Sequence, residues 1–292
     1  DEKGDLIFKT NDGSDGASPT ERLRIDSDGS ILTATLGTDN VHLGEGAGAS
    51  IASGGNNNVA IGKDAGLAIT TGDNNVAVGF EALKTEDGNG NTTAIGYRSL
   101  KTQNAGAEAY NVAVGIDAGT GLTTGVSNTL IGGFSGGGAT ITGASNTAVG
   151  RNSLYVNTSG ANNVAIGAEA LTANTTASQN TAVGYQAGYS NTTAADLTAI
   201  GFKAGNANTT GAYNTFVGKD AGLSNTTGTL QTFIGEYSGR STTGTNNTFL
   251  GQQSGTSITT GTKNTIIGRY TGNGGGLDIR TSSNNIVLSD GD

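Results

Sequence analysis

The chain has 292 residues, of which 51 are Gly, 44 Thr and 30 Asn, together 43% of the whole, while only 13% are charged and 34% apolar. With a single Pro (Pro19), no Cys, no Met and no Trp, it lacks the Pro and charge of a disordered chain, the every-third Gly of collagen, and any thiol for a disulfide or metal site. The net charge of −9 disfavours nucleic acid or an anionic membrane surface as partner. No run approaches the roughly 18 apolar residues that cross a bilayer. The absence of Met and of a signal peptide points to a fragment or a processed product, with targeting signals and terminal domains expected elsewhere.

Residues 1–36 come first. Gly4–Thr10 and Glu21–Asp26 alternate like strands, with the turn-rich 11–19 between them and a turn at Asp26–Gly29 after them. They are expected to form a hairpin-like collar that caps the open end of the repeats beginning at residue 37. From 37 to 272 the pattern Asn-x-x-(Val/Ile/Leu)-Gly recurs, ending at Gly44, Gly62, Gly79, Gly96, Gly115, Gly132, Gly150, Gly167, Gly184, Gly201, Gly218, Gly235, Gly251 and Gly268. Nine of the 13 spacings are 17 residues. A Thr-Thr-Gly box such as Thr70-Thr71-Gly72 or Thr209-Thr210-Gly211 follows most motif glycines. Seventeen residues without helical periodicity suit one coil of a parallel β-solenoid, an all-β fold here of 14 coils. At ~4.8 Å per coil this makes a slender rod of roughly 65 Å. Residues 273–292 open with Gly274-Gly275-Gly276 and read as an exit strand, within which Asn285–Ser289 is a worn final copy of the motif.

Counting from the motif Gly, position −1 is β-branched or Leu (Leu43, Ile61, Val78, Ile95) and position −3 is Val or Thr, so both are expected on the inner face. Position +3 is nearly always Ala or Ser (Ala65, Ser99, Ala118, Ala187, Ser254), implying a narrow interior. Position −2 would then point outward. It is small in early coils (Ala60, Ala77, Ala94, Ala113, Ala165, Ala182) and aromatic later (Phe216, Phe233, Phe249). A second apolar row needs another surface, and three copies meeting on that row about a shared axis are the expected closed solution; a lone solenoid with a mildly apolar stripe is the alternative. Position −4 is Asn at Asn58, Asn75, Asn111, Asn128, Asn163, Asn180, Asn214, Asn247 and Asn264, and amides stacked at this spacing can bond as a ladder.

The repeats Asn58-Val-Ala-Ile-Gly62, Asn163-Val-Ala-Ile-Gly167 and Asn180-Thr-Ala-Val-Gly184 resemble the head repeats of YadA-like trimeric autotransporter adhesins. That resemblance covers roughly residues 40–289 and implies a left-handed parallel β-roll in an intertwined homotrimer that binds host surface molecules. The period here is longer than that family's, so the extra residues must bulge or lengthen the outer strand. Gly4-Asp5-Leu6-Ile7-Phe8-Lys9-Thr10-Asn11 and Glu21-Arg22-Leu23-Arg24-Ile25-Asp26-Ser27-Asp28-Gly29 look like bacteriophage tail-fibre segments. Asn284–Gly291 is similar to the stretch before the intramolecular chaperone that such fibres often cleave off. Because these matches cover both ends, the expectation is an extracellular tail-fibre shaft on a virion, contacting itself, neighbouring fibre segments and a host receptor or polysaccharide. An adhesin head on a bacterial surface and a polysaccharide-cleaving tailspike are the alternatives.

Catalytic chemistry is not expected. The lone histidine, His42, sits at a −2 position and reads as filler. Acids at Asp64, Glu81, Asp117, Glu169, Asp220 and Glu236 share their offsets with Arg98, Arg151, Lys203, Lys219 and Arg269, which suits a solvated corner better than a glycosidase pair. Asp87-Gly88-Asn89-Gly90-Asn91 and Asp26-Ser27-Asp28-Gly29 resemble pieces of a calcium loop, but turn chemistry accounts for both, and no cofactor is expected. The glycosylation-like Asn157, Asn174, Asn191, Asn208 and Asn225 hold a fixed register, which favours a corner ladder. Phe80, Tyr97, Tyr185 and Phe202, with Phe134, Tyr237 and Tyr270 one position further on, are expected to cover apolar corners or to stack on a partner.

Overall fold

The computed structural model describes residues 6–10, 20–25, 31–33 and 37–290. Three strands, β1 (Leu6–Thr10), β2 (Thr20–Ile25) and β3 (Ile31–Thr33), form an antiparallel meander in the order β1-β2-β3. The first two are the strands expected within Gly4–Thr10 and Glu21–Asp26, and β3 extends the sheet. The turn at Asp26–Gly29 lies outside the described residues. Fourteen three-residue strands come next, from β4 (Val41–Leu43) and β5 (Val59–Ile61) to β17 (Thr265–Ile267). They pair in parallel and in sequence order, and β20 (Ile286–Leu288) completes a 15-stranded sheet by pairing with β17. The worn copy Asn285–Ser289 is thus a rung of the sheet, so the stretch read as an exit strand returns to the solenoid. Between these rungs lies a small hairpin, β18 (Asn273–Gly274) with β19 (Leu277–Asp278). No helix occurs among the described residues.

The register is fixed by the repeat: Ala60 lies beside Ala77, Ala77 beside Ala94, and Phe216 beside Phe233. Each motif Gly turns the chain out of the strand. Gly222 shows why a side chain is barred at the next corner: its φ is +61°, and a Cβ would come within 2.6 Å of the Phe216 ring.

The structure reverses the expected faces of the strand. Ala60, Ala77, Ala94, Ala113, Ala165, Ala182, Phe216, Phe233 and Phe249 are fully buried inside a single chain and cannot line an axis between copies. Positions −1 and −3 point outward instead. The reason is volume. A coil this narrow never holds a large side chain at both −2 and +4. Where −2 is Ala, the space is filled by Leu at +4 (Leu83, Leu100, Leu154, Leu171), by Ile69 or Leu122 at +7, or, beside Gly188 and Gly205 at +4, by Leu197 and Phe216 of the next rung. Where −2 is Phe216, Phe233 or Phe249, position +4 is Gly222, Gly239 or Gly255, and the three rings stack at centroid separations of 5.4 and 4.8 Å. A row of Val and Ile at every rung would overfill such an interior. Position +3 is buried as expected, in Ala65, Ser99, Ala118, Ala187 and Ser254.

The Asn ladder is also internal. Asn58, Asn75, Asn111, Asn128, Asn163, Asn180, Asn214, Asn247 and Asn264 are buried, and most hold two jobs at once. The Oδ1 of each accepts the backbone N–H of the next rung's residue at the same position, as in Asn75 N to Asn58 Oδ1 (2.9 Å), Asn180 N to Asn163 Oδ1 (3.0 Å) and Asn264 N to Asn247 Oδ1 (2.9 Å). The Nδ2 donates to a carbonyl across the coil, as in Asn58 to Gly72 and Asn111 to Gly125 (both 2.8 Å). This satisfies backbone groups that the three-residue strands leave unpaired. A second ladder runs Nδ2 to Oδ1 through Asn157, Asn174, Asn191, Asn208 and Asn225 at 2.9–3.1 Å, the expected corner ladder.

Candidate interaction surface

The outward side of the 15-stranded sheet carries Val or Thr at −3 and Val, Ile or Leu at −1 on nearly every rung. Ile95, Ile166, Ile200, Ile234, Leu250 and Ile267 are all exposed, as are Val41 and Leu43 at one end and Ile286 and Leu288 at the other. Fourteen spacings of ~4.8 Å give this strip a length of about 67 Å and a width of about 7 Å, or roughly 470 Å² in plan. The −1 row is apolar at all 15 rungs, whereas −3 is Thr in nine of them, so the apolar part is narrower than the strip; a monomer's largest apolar patch is about 300–600 Å² and is often functional. Alternation extends the strip at both margins. Tyr110, Tyr213 and Leu230 at −5 are more than half exposed, and Phe80, Tyr97, Ile116, Tyr185 and Phe202 at +1 are also exposed.

The +1 aromatics stack in pairs. Phe80 lies on Tyr97 at 5.3 Å and Tyr185 on Phe202 at 5.5 Å, with Arg98 over the Tyr97 ring and Lys203 over Phe202. Phe134 is exposed, whereas Tyr270 is buried and donates its hydroxyl to the Leu277 carbonyl (2.5 Å). Burial pushes the Tyr270 hydroxyl's pKa up. Tyr237 has Lys219 and Arg240 near its ring, at 5.0 and 5.5 Å from the centroid.

Beside this margin runs the charged corner. Its acids and cations meet between rungs: Lys84 bridges Asp64 (3.3 Å) and Glu81 (2.6 Å), Lys101 reaches Glu81 (2.7 Å), and Arg98 holds Asp117 (2.8 Å). Arg151 pairs with Glu169 (2.7 Å) and Lys219 with Glu236 (3.5 Å). Hydrogen bonds from Lys101 and Lys84 pull the Glu81 carboxyl down to about 2. Arg269 donates to Gln253 Oε1 rather than to an acid. Of the six acids singled out in the sequence, only Asp220 has no cation partner, and nothing in the sequence pattern distinguished it.

His42 belongs to the first rung, beside Ala60. Its Nε2 is buried without a hydrogen bond, pressed towards Gly48, and burial lowers its pKa. The segment Asp87–Asn91 is bonded to the preceding rung, with the Thr70 N–H donating to the Asp87 carbonyl (2.6 Å) and the Asn91 N–H to the Asp73 carbonyl (2.9 Å), while Asn89 Nδ2 donates to Glu86 Oε1 (2.9 Å). Among the described residues no group of three or more His, Asp or Glu converges, and no helix is long and apolar enough to cross a membrane. No family model, curated protein or solved structure matches the chain.

Proposed function

We propose that the chain is a non-enzymatic shaft segment of an extracellular fibre of the bacteriophage tail-fibre kind, in which three copies associate along their outward sheet faces and hold a receptor-binding tip away from the particle. The observation that carries this reading is the apolar strip. It runs unbroken over 15 rungs, on the one side of the strand that the chain's own interior does not use. Burying such a row against sister copies removes it from water at about 25 cal/mol per Å². Three-fold closure leaves no free strip to recruit further chains. The left-handed sense of the roll belongs to the same proposal. Stiffness comes from the two amide ladders and the parallel sheet, which tie each rung to the next.

Size-exclusion chromatography with light scattering tests it. The expected mass is three times the 28.8 kDa of one chain. Ile200→Asp with Ile234→Asp should yield a folded monomer with an unchanged circular-dichroism spectrum. A monomeric mass for the unaltered chain at about 50 μM, well above the ~1 μM dissociation constant of a modest interface, overturns the proposal. The stacked pairs Phe80–Tyr97 and Tyr185–Phe202 favour a second reading, an adhesin head that grips a partner with its own sides. Binding of the isolated segment to host matrix protein, lost in Tyr97→Ala, would support it.

A further inference from the structure

Asp220 stands apart from the other corner acids. It is 8% exposed, its Oδ1 is buried with no hydrogen-bond partner, and no ion pair reaches it. Asp117, at the same offset from its motif Gly and equally buried, shows what normally satisfies such a carboxylate: Arg98 Nε at 2.8 Å and Thr120 Oγ1 at 3.1 Å. The residues at the corresponding places around Asp220 are Lys203, whose ammonium lies over the Phe202 ring, and Leu223, which has no hydroxyl to give. No hydrogen bond or ion pair of the chain reaches either oxygen of this mostly buried carboxylate, a state that costs about 1–3 kcal/mol or more, so a donor from outside the chain to the accessible Oδ2 is favoured.

Asp220 lines a hollow of about 280 Å³ together with Tyr237, Arg240, Gln253 and Thr256, drawn from three consecutive rungs. Gln253 Oε1 is taken by Arg269, and the Thr256 hydroxyl donates to the Tyr237 carbonyl (3.0 Å). The hollow therefore offers one carboxylate acceptor, a tyrosine ring, and donors from Arg240 and the Gln253 amide. Its volume lies near the ~300 Å³ lower bound of small-molecule clefts.

The chemistry narrows the occupant. An apolar ligand would leave Asp220 unpaired. A metal ion would meet Lys219 and Arg240, which crowd the Tyr237 ring, and would find a single carboxylate. A polyhydroxylated ring fits all the groups, with hydroxyl donors for the carboxylate, C–H faces for the tyrosine, and oxygens for the guanidinium and amide. We infer that this hollow is a binding subsite for one pyranose unit of a glycan, held through a sugar hydroxyl donated to the Asp220 carboxylate at its accessible oxygen, Oδ2. The site lies on the corner rather than on the outward sheet rows. It therefore goes beyond the shaft reading and does not depend on it.

The test is saturation-transfer NMR and titration calorimetry on the full chain, with glucose, galactose, mannose, N-acetylglucosamine and glucuronate each raised to about 10 mM, ten times a ~1 mM dissociation constant. At least one sugar should bind saturably. Asp220→Asn should weaken it about tenfold or more, as expected for a hydrogen bond to a charged group. Tyr237→Ala should do the same. Leu223→Thr supplies the internal donor that Thr120 gives Asp117, so it should weaken sugar binding while raising the melting temperature, which guards against a variant that merely misfolds. Oligomeric mass, measured in parallel, should not change in any of them. Failure of every sugar to bind overturns the inference, as does equal binding by Asp220→Asn. A calcium-induced rise in melting temperature that Asp220→Asn abolishes would assign the hollow to a cation and overturn it too.

Discussion

Replacing Phe233 by Ala removes the middle ring of the interior stack. The ring is fully buried and lies 5.4 Å from Phe216 and 4.8 Å from Phe249. Truncating a buried Phe costs about 3–5 kcal/mol, and loss of two stacked pairs, each ~0.5–1.5 kcal/mol, puts this site at the top of that range, about 5 kcal/mol. In urea, with a slope of about 3 kcal/mol per M, the unfolding midpoint should fall by about 1.5 M. Rungs such as the one holding Ala148 and Leu154 show a different way to fill the same space, with the large side chain at +4, where Leu154 adopts a φ of +49°. Gly239 occupies that place beside Phe233 with a φ of +56°, and a Cβ there would overlap the ring. Gly239→Leu alone should therefore destabilise by about 1–3 kcal/mol or more through overpacking. The same change made together with Phe233→Ala should recover about 2–3 kcal/mol of the loss by burying the Leu in the vacated space. A double-mutant cycle from urea midpoints reads the coupling directly. If Gly239→Leu costs the same with and without Phe233→Ala, the rule that −2 and +4 cannot both be large is wrong.

Other outcomes rest on the ladders and the charges. Asn163→Ala should cost about 2–4 kcal/mol, because it strips the Asn180 N–H of its acceptor and the Ala177 carbonyl of a donor. Asn180→Ala should cost less in thermal melts, since it strips only the Leu197 N–H of its acceptor, the Asn180 Nδ2 already lacking a partner. Burial lowers the His42 pKa from its ordinary 6.5, so the unfolded chain binds the proton first; stability should fall as pH drops below 6.5, by at most the penalty reached at the folded pKa. His42→Ala, the residue found at −2 in most rungs, should flatten that dependence in pH-resolved melts. Glu81 should titrate near 2 by NMR. Its contribution to stability is present above 4.5 and lost as pH falls towards 2, and Lys101→Ala should move the titration back up.

Much of this molecule was legible because a repeat writes the same instruction many times. The motif glycines, the small residues at +3 and the two Asn rows determine a parallel solenoid whose register cannot slip, since a shift of one rung position would place side chains such as Asn163 outside and misalign every ladder bond. What the sequence by itself could not settle was which of two apolar rows faces inward. Alternation says only that −1 and −2 oppose each other. The choice depends on the width of the coil, and that width emerges from corners, Leu residues at +4 and glycines that lie outside the strand along the chain. Only tertiary packing brings those volumes together and sends the alanines and phenylalanines in and the isoleucines out. The hollow at Asp220 is of the same kind. Its acid looks like its neighbours in the repeat, and it becomes distinctive only when the residues stacked above and beside it fail to supply a hydrogen-bond donor.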